Sequence, residues 1–233
     1  MSAADELVAP LVARWGLESA AAEQLAAMLD VLEDDATAPT SVRASREAAD
    51  AHLADSLVAL ELDVVRRARR IADLGSGAGF PGLALAAALP DAHVALVESG
   101  ERKSAFLGRA IAAAGVPNAE VVHARAEAWP GGSEAHDLVT ARALAALPVV
   151  VEYAAPLLAV GGALVAWRGR RDREAEAAAG RAAAEVALEP VEIRHVEPYP
   201  AARDRHLHVF RKTGSTPPGF PRRPGIARKR PLG

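Results

Sequence analysis

From Ile71 onward, short apolar runs alternate with helical segments, and this alternation restricts the possible folds more than any other feature of the chain. The apolar runs read IADL, HVALVE, AEVVHA, DLVTA and ALVAW. Among them, the sequence predicts helices from about Gly82 and over 102–114, 148–158 and 172–186. Such a pattern is typical of stacked βαβ units that form an α/β fold, with a mostly parallel sheet and helices on both faces. The later runs VEIRHVE and HLHVFRK predict two more strands, as a hairpin at the sheet edge.

The first seventy residues have a helical period instead. Their apolar stripes comprise Leu25, Met28, Leu29 and Leu32 and, after a break, Leu53, Leu57 and Leu60. Ser45 lies where it could cap the second of these helices. We therefore predict a helical N-terminal extension over 1–70, an α/β domain over 71–212 and a tail over 213–233.

The composition excludes several kinds of protein. The 233 residues include no cysteine, which rules out disulfides, zinc–thiolate sites and a thiolate nucleophile. No apolar run is long enough to cross a bilayer, and the N-terminus MSAADELVAP carries acids where a secretion signal would carry bases. We expect a cytoplasmic, monomeric protein with no membrane partner and no metal.

The end of the chain differs from the rest in charge. Residues 211–233 contain seven Arg or Lys residues and no acid, although the net charge of the chain is −3. We expect the tail to stay extended, because a segment this rich in Pro and Gly cannot bury a core of its own. Three roles are open: a solubilising tail, an arm that binds nucleic-acid phosphates, and a strap that packs on the sheet through Phe220 and Ile226. The excess of cations over apolar anchors favours the arm.

A glycine-rich loop, DLGSGAGFPG, follows the first predicted strand. Gly75, Gly77 and Gly79 allow the backbone to turn sharply and to approach a ligand closely. In doubly wound folds, ligands bind at the carboxyl ends of the strands, where this loop lies. Glu98 ends the second strand, where a carboxylate can accept hydrogen bonds from ribose hydroxyls. The loop and Glu98 together predict a site for an adenosine-type nucleoside.

The spacing of the loop argues against a dinucleotide. A pyrophosphate-binding fingerprint needs G-x-G-x-x-G, whereas Phe80 and Pro81 occupy the slot before Gly82. S-adenosylmethionine fits this pattern, since it carries adenosine but no phosphate. The third strand ends in HARAEAW, which places the backbone amide of Ala126 and the carboxylate of Glu127 where they could contact the adenine edge.

The residue types also restrict the acceptor of a methyl group. Methylation at C5 of a pyrimidine needs a cysteine, and the chain has none. Methylation of an exocyclic amine commonly uses an Asn/Asp-Pro-Pro-aromatic turn after the fourth strand, where this chain reads VTARALAAL. Guanine N7 carries a lone pair and no proton, so it can be methylated by in-line positioning without a general base.

The order and spacing of several segments point to one family. These segments are TSVR (40–43), HLADS (52–56), DLGSGAGFPG (73–82), ESGERKSAFL (98–107), RAEAW (125–129), TARAL (140–144), WRG (167–169), DRHLHVFRK (204–212) and the tail sequence PRRPGIARKRPL. They resemble the bacterial 16S ribosomal RNA guanine-N7 methyltransferases, once called glucose-inhibited division protein B.

That resemblance implies a class I, Rossmann-like methyltransferase domain with S-adenosyl-L-methionine as cofactor, preceded by a helical extension. It implies 16S rRNA, or an assembling small subunit, as partner and a guanine in the 530 loop as target. The residues that it implies as cofactor contacts are Gly75, Phe80, Ala126, Glu127 and Arg142.

Arg142 ends the fourth strand and faces the predicted reaction zone. Methylation of N7 leaves the guanine ring positively charged, so a cation over the base would oppose the reaction. We therefore expect Arg142 to hold a carboxylate or a phosphate and to position the reactants.

The remaining candidates have weaker signals. His52, Asp55 and Ser56 share one helix face, and either internal hydrogen bonding or contact with RNA or cofactor explains them equally well. The other tentative RNA contacts are Arg43, Arg168, His206, Arg222 and Arg223. Two alternatives from other classes stay open: a nicotinamide oxidoreductase, which would share the sheet and Glu98, and a non-catalytic ribosome-assembly protein, which would keep the basic tail.

Overall fold

The strands expected from Ile71 onward form one seven-stranded sheet in the computed structural model, which describes residues 2–233. The strands are β1 (Arg70–Leu74), β2 (His93–Glu98), β3 (Ala119–His123), β4 (His136–Arg142), β5 (Leu158–Arg168), β6 (Leu188–Val196) and β7 (Arg205–Lys212). Their order is β3-β2-β1-β4-β5-β7-β6. The first five pair in parallel, whereas β7 is antiparallel to both of its neighbours, so the expected edge hairpin is confirmed.

The helices follow the predicted alternation closely. They are α1 (Ala3–Trp15), α2 (Ser19–Asp34), α3 (Ser45–Ala48), α4 (Asp55–Leu57), α5 (Asp63–Arg66), α6 (Gly82–Ala88), α7 (Glu101–Ala114), α8 (Leu147–Ala154), α9 (Arg173–Glu185) and α10 (Ile226–Lys229). The helix expected over 148–158 ends earlier, because a 3-10 turn takes over at Ala155. None of the helices within residues 2–233 combines the length and the apolar character that crossing a membrane requires.

The two faces of the sheet carry separate apolar cores, because successive side chains of a strand point to opposite faces. Ile71 of β1 belongs to the core beneath α1, α2, α6 and α7, whereas its neighbour Ala72 belongs to the core beneath α8 and α9. The N-terminal helices therefore share a core with the sheet. The strand order reverses between β1 and β4, and a ligand crevice forms at such a point.

The extension is helical as expected, with two local differences. The predicted apolar stripe of α2 is buried, with Leu25 and Leu29 fully so. Ser45 is not the cap, since Ala44 precedes the helix and the Ser45 hydroxyl donates to the carboxylate of Glu33 instead. The second stripe is also buried, but its backbone passes from a π-helical turn (Ala49–Ala54) through α4 into a 3-10 turn.

The expectation of an extended tail is wrong. The tail packs on the second core through Phe220 and Leu232, and Ala227 of α10 is 2% exposed. Its richness in Pro and Gly misled the prediction, because the tail buries its few apolar groups against the second core and needs no core of its own. One of its cations, Arg222, also pairs with a buried carboxylate on that helix, Glu152.

Candidate active site

The glycine-rich loop turns directly off the end of β1. The N–H groups of Gly75 and Ser76 both donate to the carbonyl of Val97, at 2.8 and 3.3 Å, which ties the loop to the end of β2. Gly77 has a φ of +57°, and a Cβ built there would lie 3.7 Å from the carbonyl oxygen of Gly75, which is an ordinary van der Waals contact. Gly79 has a φ of +101°, and a Cβ there would overlap Leu83. Both positions therefore favour glycine, Gly77 for its backbone angle and Gly79 also for space.

Asp73 stands beneath this loop and is fully buried. Its carboxylate accepts hydrogen bonds from the hydroxyl of Thr140 at 2.8 Å and from the N–H of Gly82 at 3.3 Å. Burial raises the pKa of the Asp73 carboxyl above its usual value, against the opposing effect of these hydrogen bonds. Asp73 thus joins β1, β4 and the start of α6, and it is part of the support of the loop.

Glu98 joins the ends of β1 and β2. Its Oε2 accepts from the N–H of Gly77 at 3.2 Å, and its Oε1 accepts from the N–H of Gly100 at 2.8 Å. The residue is 6% exposed. Each carboxylate oxygen can accept a second hydrogen bond, so the pair fits two ribose hydroxyls beside Gly77.

Ala126 and Glu127 lie in a short 3-10 turn after β3. Oε1 of Glu127 accepts from Nε of Arg125 at 3.2 Å and from the N–H of Gly225, in the tail, at 3.0 Å. Burial alone would raise the pKa of the Glu127 carboxyl, but these bonds and one from its own backbone together lower it. The carboxylate is thus held ionised at the rim of the crevice.

A small cleft of about 50 Å³ lies at the ends of these strands, and we call it the nucleoside cleft. It is lined by Gly75, Ser99, Ala126, Glu127, Leu144 and Arg228, among others. Five of the six follow β1, β2, β3 or β4, so the cleft lies at the carboxyl edge of the sheet. The glycine-rich loop and the Glu98 carboxylate bound to it fit the adenosine part of S-adenosylmethionine.

Arg142 is held by the N-terminal extension. Its Nη1 donates to Oδ2 of Asp55 and to the carbonyl of Ala51, both at 2.8 Å, and its Nη2 lies 3.3 Å from Nδ1 of His52. Ser56 is fully buried, and its hydroxyl donates to the carbonyl of His52. The structure therefore brings together all three residues predicted on this helix face and assigns them to an internal hydrogen-bond network around Arg142.

His52 connects that network to the glycine-rich loop. Its ring stacks on Phe80, with 5.0 Å between ring centroids and 12° between planes. Because Arg142 can only donate, Nδ1 accepts, and the Nε2 proton points to the carbonyl of Val42 at 3.1 Å. Burial, and then the charge of Arg142, lower the pKa of His52 to about 4. The ring is neutral at pH 7.

A second cleft, of about 430 Å³, has Arg142 in its wall, and we call it the arginine cleft. Its walls include Arg142, Arg168, Arg170 and Arg205, together with Trp167 at the end of β5. The indole of Trp167 donates to the carbonyl of Asp55 at 2.7 Å.

Arg170 and Arg205 were not singled out from the sequence. The available signal was basic residues just after β5 and at the start of β7, in the run RGRR and in the dipeptide DR.

The remaining residues predicted as RNA contacts do not form one cluster. The guanidinium of Arg43 donates to the carbonyls of Leu32, Glu33 and Asp35, so the structure assigns it to the end of α2 rather than to RNA. Arg168 is beside the arginine cleft, donating to the carbonyl of Ala145 at 2.9 Å.

His206 is paired with Arg168 across β5 and β7, and its Nδ1 lies 2.9 Å from the carbonyl of Gly169. Arg222 is bound to Glu152, and Arg223 is exposed on the tail.

The strand order, the glycine-rich loop after β1 and the buried acid that ends β2 define a class I S-adenosylmethionine-dependent methyltransferase. Within that class, the sequence model of one family, GidB, described as rRNA small subunit methyltransferase G, matches residues 19–207. The chain belongs to this family, as its resemblance indicated. Its cofactor is S-adenosyl-L-methionine, and both alternatives, the oxidoreductase and the non-catalytic binding protein, are set aside.

Individual relatives agree with this membership. A protein named ribosomal RNA small subunit methyltransferase G from Pelotomaculum thermopropionicum is 40% identical over 197 residues, covering 83% of this chain and 82% of that protein. One of the same name from Roseiflexus castenholzii is 41% identical over 201 residues, covering 83% of each.

Solved structures share the fold. A predicted O-methyltransferase from Agrobacterium tumefaciens has a TM-score of 0.53 and 28% identity, covering 71% of this chain and 81% of that one. Fibrillarin from Aeropyrum pernix, with natively bound S-adenosyl-L-methionine, has a TM-score of 0.53 and 18% identity, covering 67% and 72%. At that identity the second likeness shows the fold alone.

Proposed function

We propose that the protein methylates N7 of a guanine in the 530 loop of 16S rRNA. The observation that carries this proposal is the shared wall of the two clefts. The end of β4 contributes Leu144 to the nucleoside cleft and Arg142 and Ala143 to the arginine cleft. Ala143 has a φ of +53°, a strained backbone of the kind found at functional sites. A base held in the arginine cleft would lie next to a methyl donor held in the other.

The charge of the arginine cleft suits RNA. Lining guanidinium groups can bind phosphates as forks of two hydrogen bonds, and Arg170 lies exposed at the cleft. The names of the relatives support small-subunit rRNA as the substrate. We place the reaction in the cytoplasm, with a monomer acting on 16S rRNA or an assembling subunit.

The chemistry of the arginine cleft suits an acceptor without a proton. Asp55 and His52 line it, and both are bound to Arg142. His52 also uses its other ring nitrogen on Val42. Oδ1 of Asp55 lies 3.5 Å from Nε of Arg205, so the carboxylate is paired with two cations that disfavour its protonation. Guanine N7 needs no group that removes a proton, whereas an amine or hydroxyl acceptor would.

Asp55 has a further consequence for this reaction. When bound, S-adenosylmethionine supplies an electrophilic methyl group, and the methylated guanine gains a positive charge. Arg142 alone would oppose that charge, and the 6%-exposed carboxylate of Asp55, which pairs with both Arg142 and Arg205, reduces this opposition. The cofactor contacts we propose are Gly75, Gly77, Gly79, Phe80, Glu98, Ala126 and Glu127, with Arg142 positioning the base.

Incubation of the purified protein with 16S rRNA and with small subunits, in the presence of isotopically labelled S-adenosylmethionine, tests the proposal. Nuclease digestion and mass spectrometry should find one N7-methylguanosine, in a fragment from the 530 loop. Label on another atom would contradict the N7 assignment, and label elsewhere in the RNA would contradict the target. Arg170→Gln should lower labelling without changing the site, while Arg181→Gln, on an exposed face of α9, serves as the matched control.

A further inference from the structure

The tail closes one side of the nucleoside cleft. The N–H of Gly225 donates to Oε1 of Glu127 at 3.0 Å, and Nη2 of Arg228 donates to the carbonyl of Leu144 at 3.0 Å. Glu127, Leu144 and Arg228 all line the cleft. The tail therefore contacts the cleft at two points, one of them on a group that we assign to the adenine edge.

The tail is also firmly anchored. Glu152 of α8 is 1% exposed, and both of its oxygens accept from Arg222, with 2.7 Å between Nε and Oε1. Nη2 of Arg222 also donates to the carbonyl of Arg230 at 2.9 Å, which folds the tail back on itself. Removal of Arg222 would leave a buried carboxylate without a partner, so this pair is a strong anchor beside the apolar packing of Phe220 and Leu232.

Without the tail, Glu127 would lose much of its support. The remaining side-chain donor is Arg125, whose side chain is half exposed and therefore a weak restraint. The contact from Gly225 comes from backbone in a left-handed conformation, φ +82°, which substitution of that glycine would strain. The orientation of the Glu127 carboxylate thus depends on a segment about a hundred residues away in sequence.

We propose that the tail completes the S-adenosylmethionine site, with Gly225 and Arg222 as positioning residues for Glu127 and the cleft wall. Tail docking and cofactor binding are then coupled, and the coupling is reciprocal. The same experiments also test the RNA-binding arm that the composition favours, since they can detect a loss of RNA affinity by itself. The inference rests on the cofactor site and not on the identity of the methylated base.

The first test is deletion of residues 217–233, which keeps Thr216 and its contact with the buried Lys212. Calorimetry with S-adenosylhomocysteine should show at least tenfold weaker binding, measured below the melting temperature of each protein. A synthetic peptide of residues 217–233, added in trans, should restore affinity. Wild-type affinity in the folded truncated protein would overturn the proposal. Loss of 16S rRNA affinity alone would favour the arm.

The second test uses a matched pair that removes the same charge. Arg222→Gln breaks the anchor, whereas Arg223→Gln changes an exposed neighbour whose described contact is through its backbone carbonyl. We expect Arg222→Gln to bind S-adenosylhomocysteine several-fold more weakly than the wild type. Arg223→Gln should bind it with wild-type affinity. Equal effects would point to charge alone and contradict the positioning role.

The third test uses reciprocity in the unmodified protein. Trypsin can cut the tail after Arg222, Arg228 and Lys229. Saturating S-adenosylhomocysteine should slow loss of the tail several-fold, as followed by mass spectrometry. A strap that only stabilises the fold would be cut at the same rate with and without the ligand, and that result would overturn the coupling. Failure of the wild-type protein to bind S-adenosylhomocysteine at all would refute the cofactor site itself.

Discussion

The nucleoside cleft and the arginine cleft share the end of β4 but are built in different ways. The nucleoside cleft uses backbone turns and acids that follow β1, β2 and β3 directly, so its main parts stand in short sequence motifs. The arginine cleft takes side chains from the extension, β4, β5 and β7. A motif can specify a cleft of the first kind, whereas the second kind exists only after distant segments have packed.

We expect the largest effect from Gly77→Val. A valine at φ +57° is strained, and the N–H of this residue is the group that donates to Glu98, the proposed ribose acceptor. Affinity for S-adenosylhomocysteine should fall by at least about a hundredfold, roughly 2.7 kcal/mol. Calorimetry on the folded variant measures this.

The control for that change is Gly115→Val, at the end of α7. Gly115 has a nearly equal φ of +62°, and a Cβ there meets nothing within 4 Å. This variant carries the same backbone strain away from the cleft and should bind the ligand as the wild type does. Equal losses in both variants would show that strain, and not the cleft, causes the effect.

The next effect in size separates the two acids near the glycine-rich loop. Glu98→Gln should weaken S-adenosylhomocysteine binding by about tenfold to a hundredfold, since a hydrogen bond to a charged group contributes roughly 1.5–3 kcal/mol. Asp73→Asn should lower the melting temperature with less effect on affinity, because Asp73 is buried beneath the loop. If Asp73→Asn proves the more damaging for the ligand, the assignment of Glu98 to the ribose is wrong.

A smaller effect, on the salt dependence of RNA binding, is expected from a substitution in the arginine cleft. Arg170→Gln removes an exposed cation at that cleft and leaves the nucleoside cleft intact. If Arg170 binds one phosphate, the slope of log K against log salt for RNA should fall by roughly 0.7–0.9. Filter binding over a salt series measures the slope. A slope unchanged from that of the wild type would remove Arg170 from the RNA surface, and weaker S-adenosylhomocysteine binding would show that the two clefts are not independent.

The smallest effect at neutral pH concerns His52, the link between the clefts. Its pKa in the folded protein is about 4, against an ordinary value of 6.5, so the unfolded chain binds its proton first as pH falls. This contribution to stability is complete above about pH 6.5 and is lost progressively down to about pH 4.

His52→Gln should therefore flatten the pH dependence of the unfolding free energy in that window, by at most about 1.4 kcal/mol per pH unit. Urea titrations between pH 4.5 and 7 measure this. His208→Gln is a useful comparison, since burial lowers the pKa of His208 to about 4 as well, although it lies away from Phe80. A slope unaffected by His52→Gln would mean that its ring is not held neutral.

Much of the fold followed from the sequence because it depends on local pattern. The strands and helices from β1 to β7 lie within a few residues of their predicted bounds, since apolar period and breaks are readable in one segment at a time. Ser45 shows the limit of that reasoning. A helix cap depends on the local backbone angles at one residue. The Ser45 hydroxyl instead donates to the charged carboxylate of Glu33 on α2, a contact that the local sequence does not reveal.

By itself, the sequence determined the parallel sheet, the glycine-rich loop, the acid that ends β2 and the family, because each is a contiguous pattern or an ordered series of such patterns. Tertiary structure decided what His52, Asp55 and Arg142 do, which arginines share a cleft, and where the tail lies. Those outcomes depend on which donor meets which acceptor across long separations, as when Arg222 reaches Glu152. The partner of a charged side chain is decided by tertiary packing. Its role therefore could not be predicted from the sequence alone.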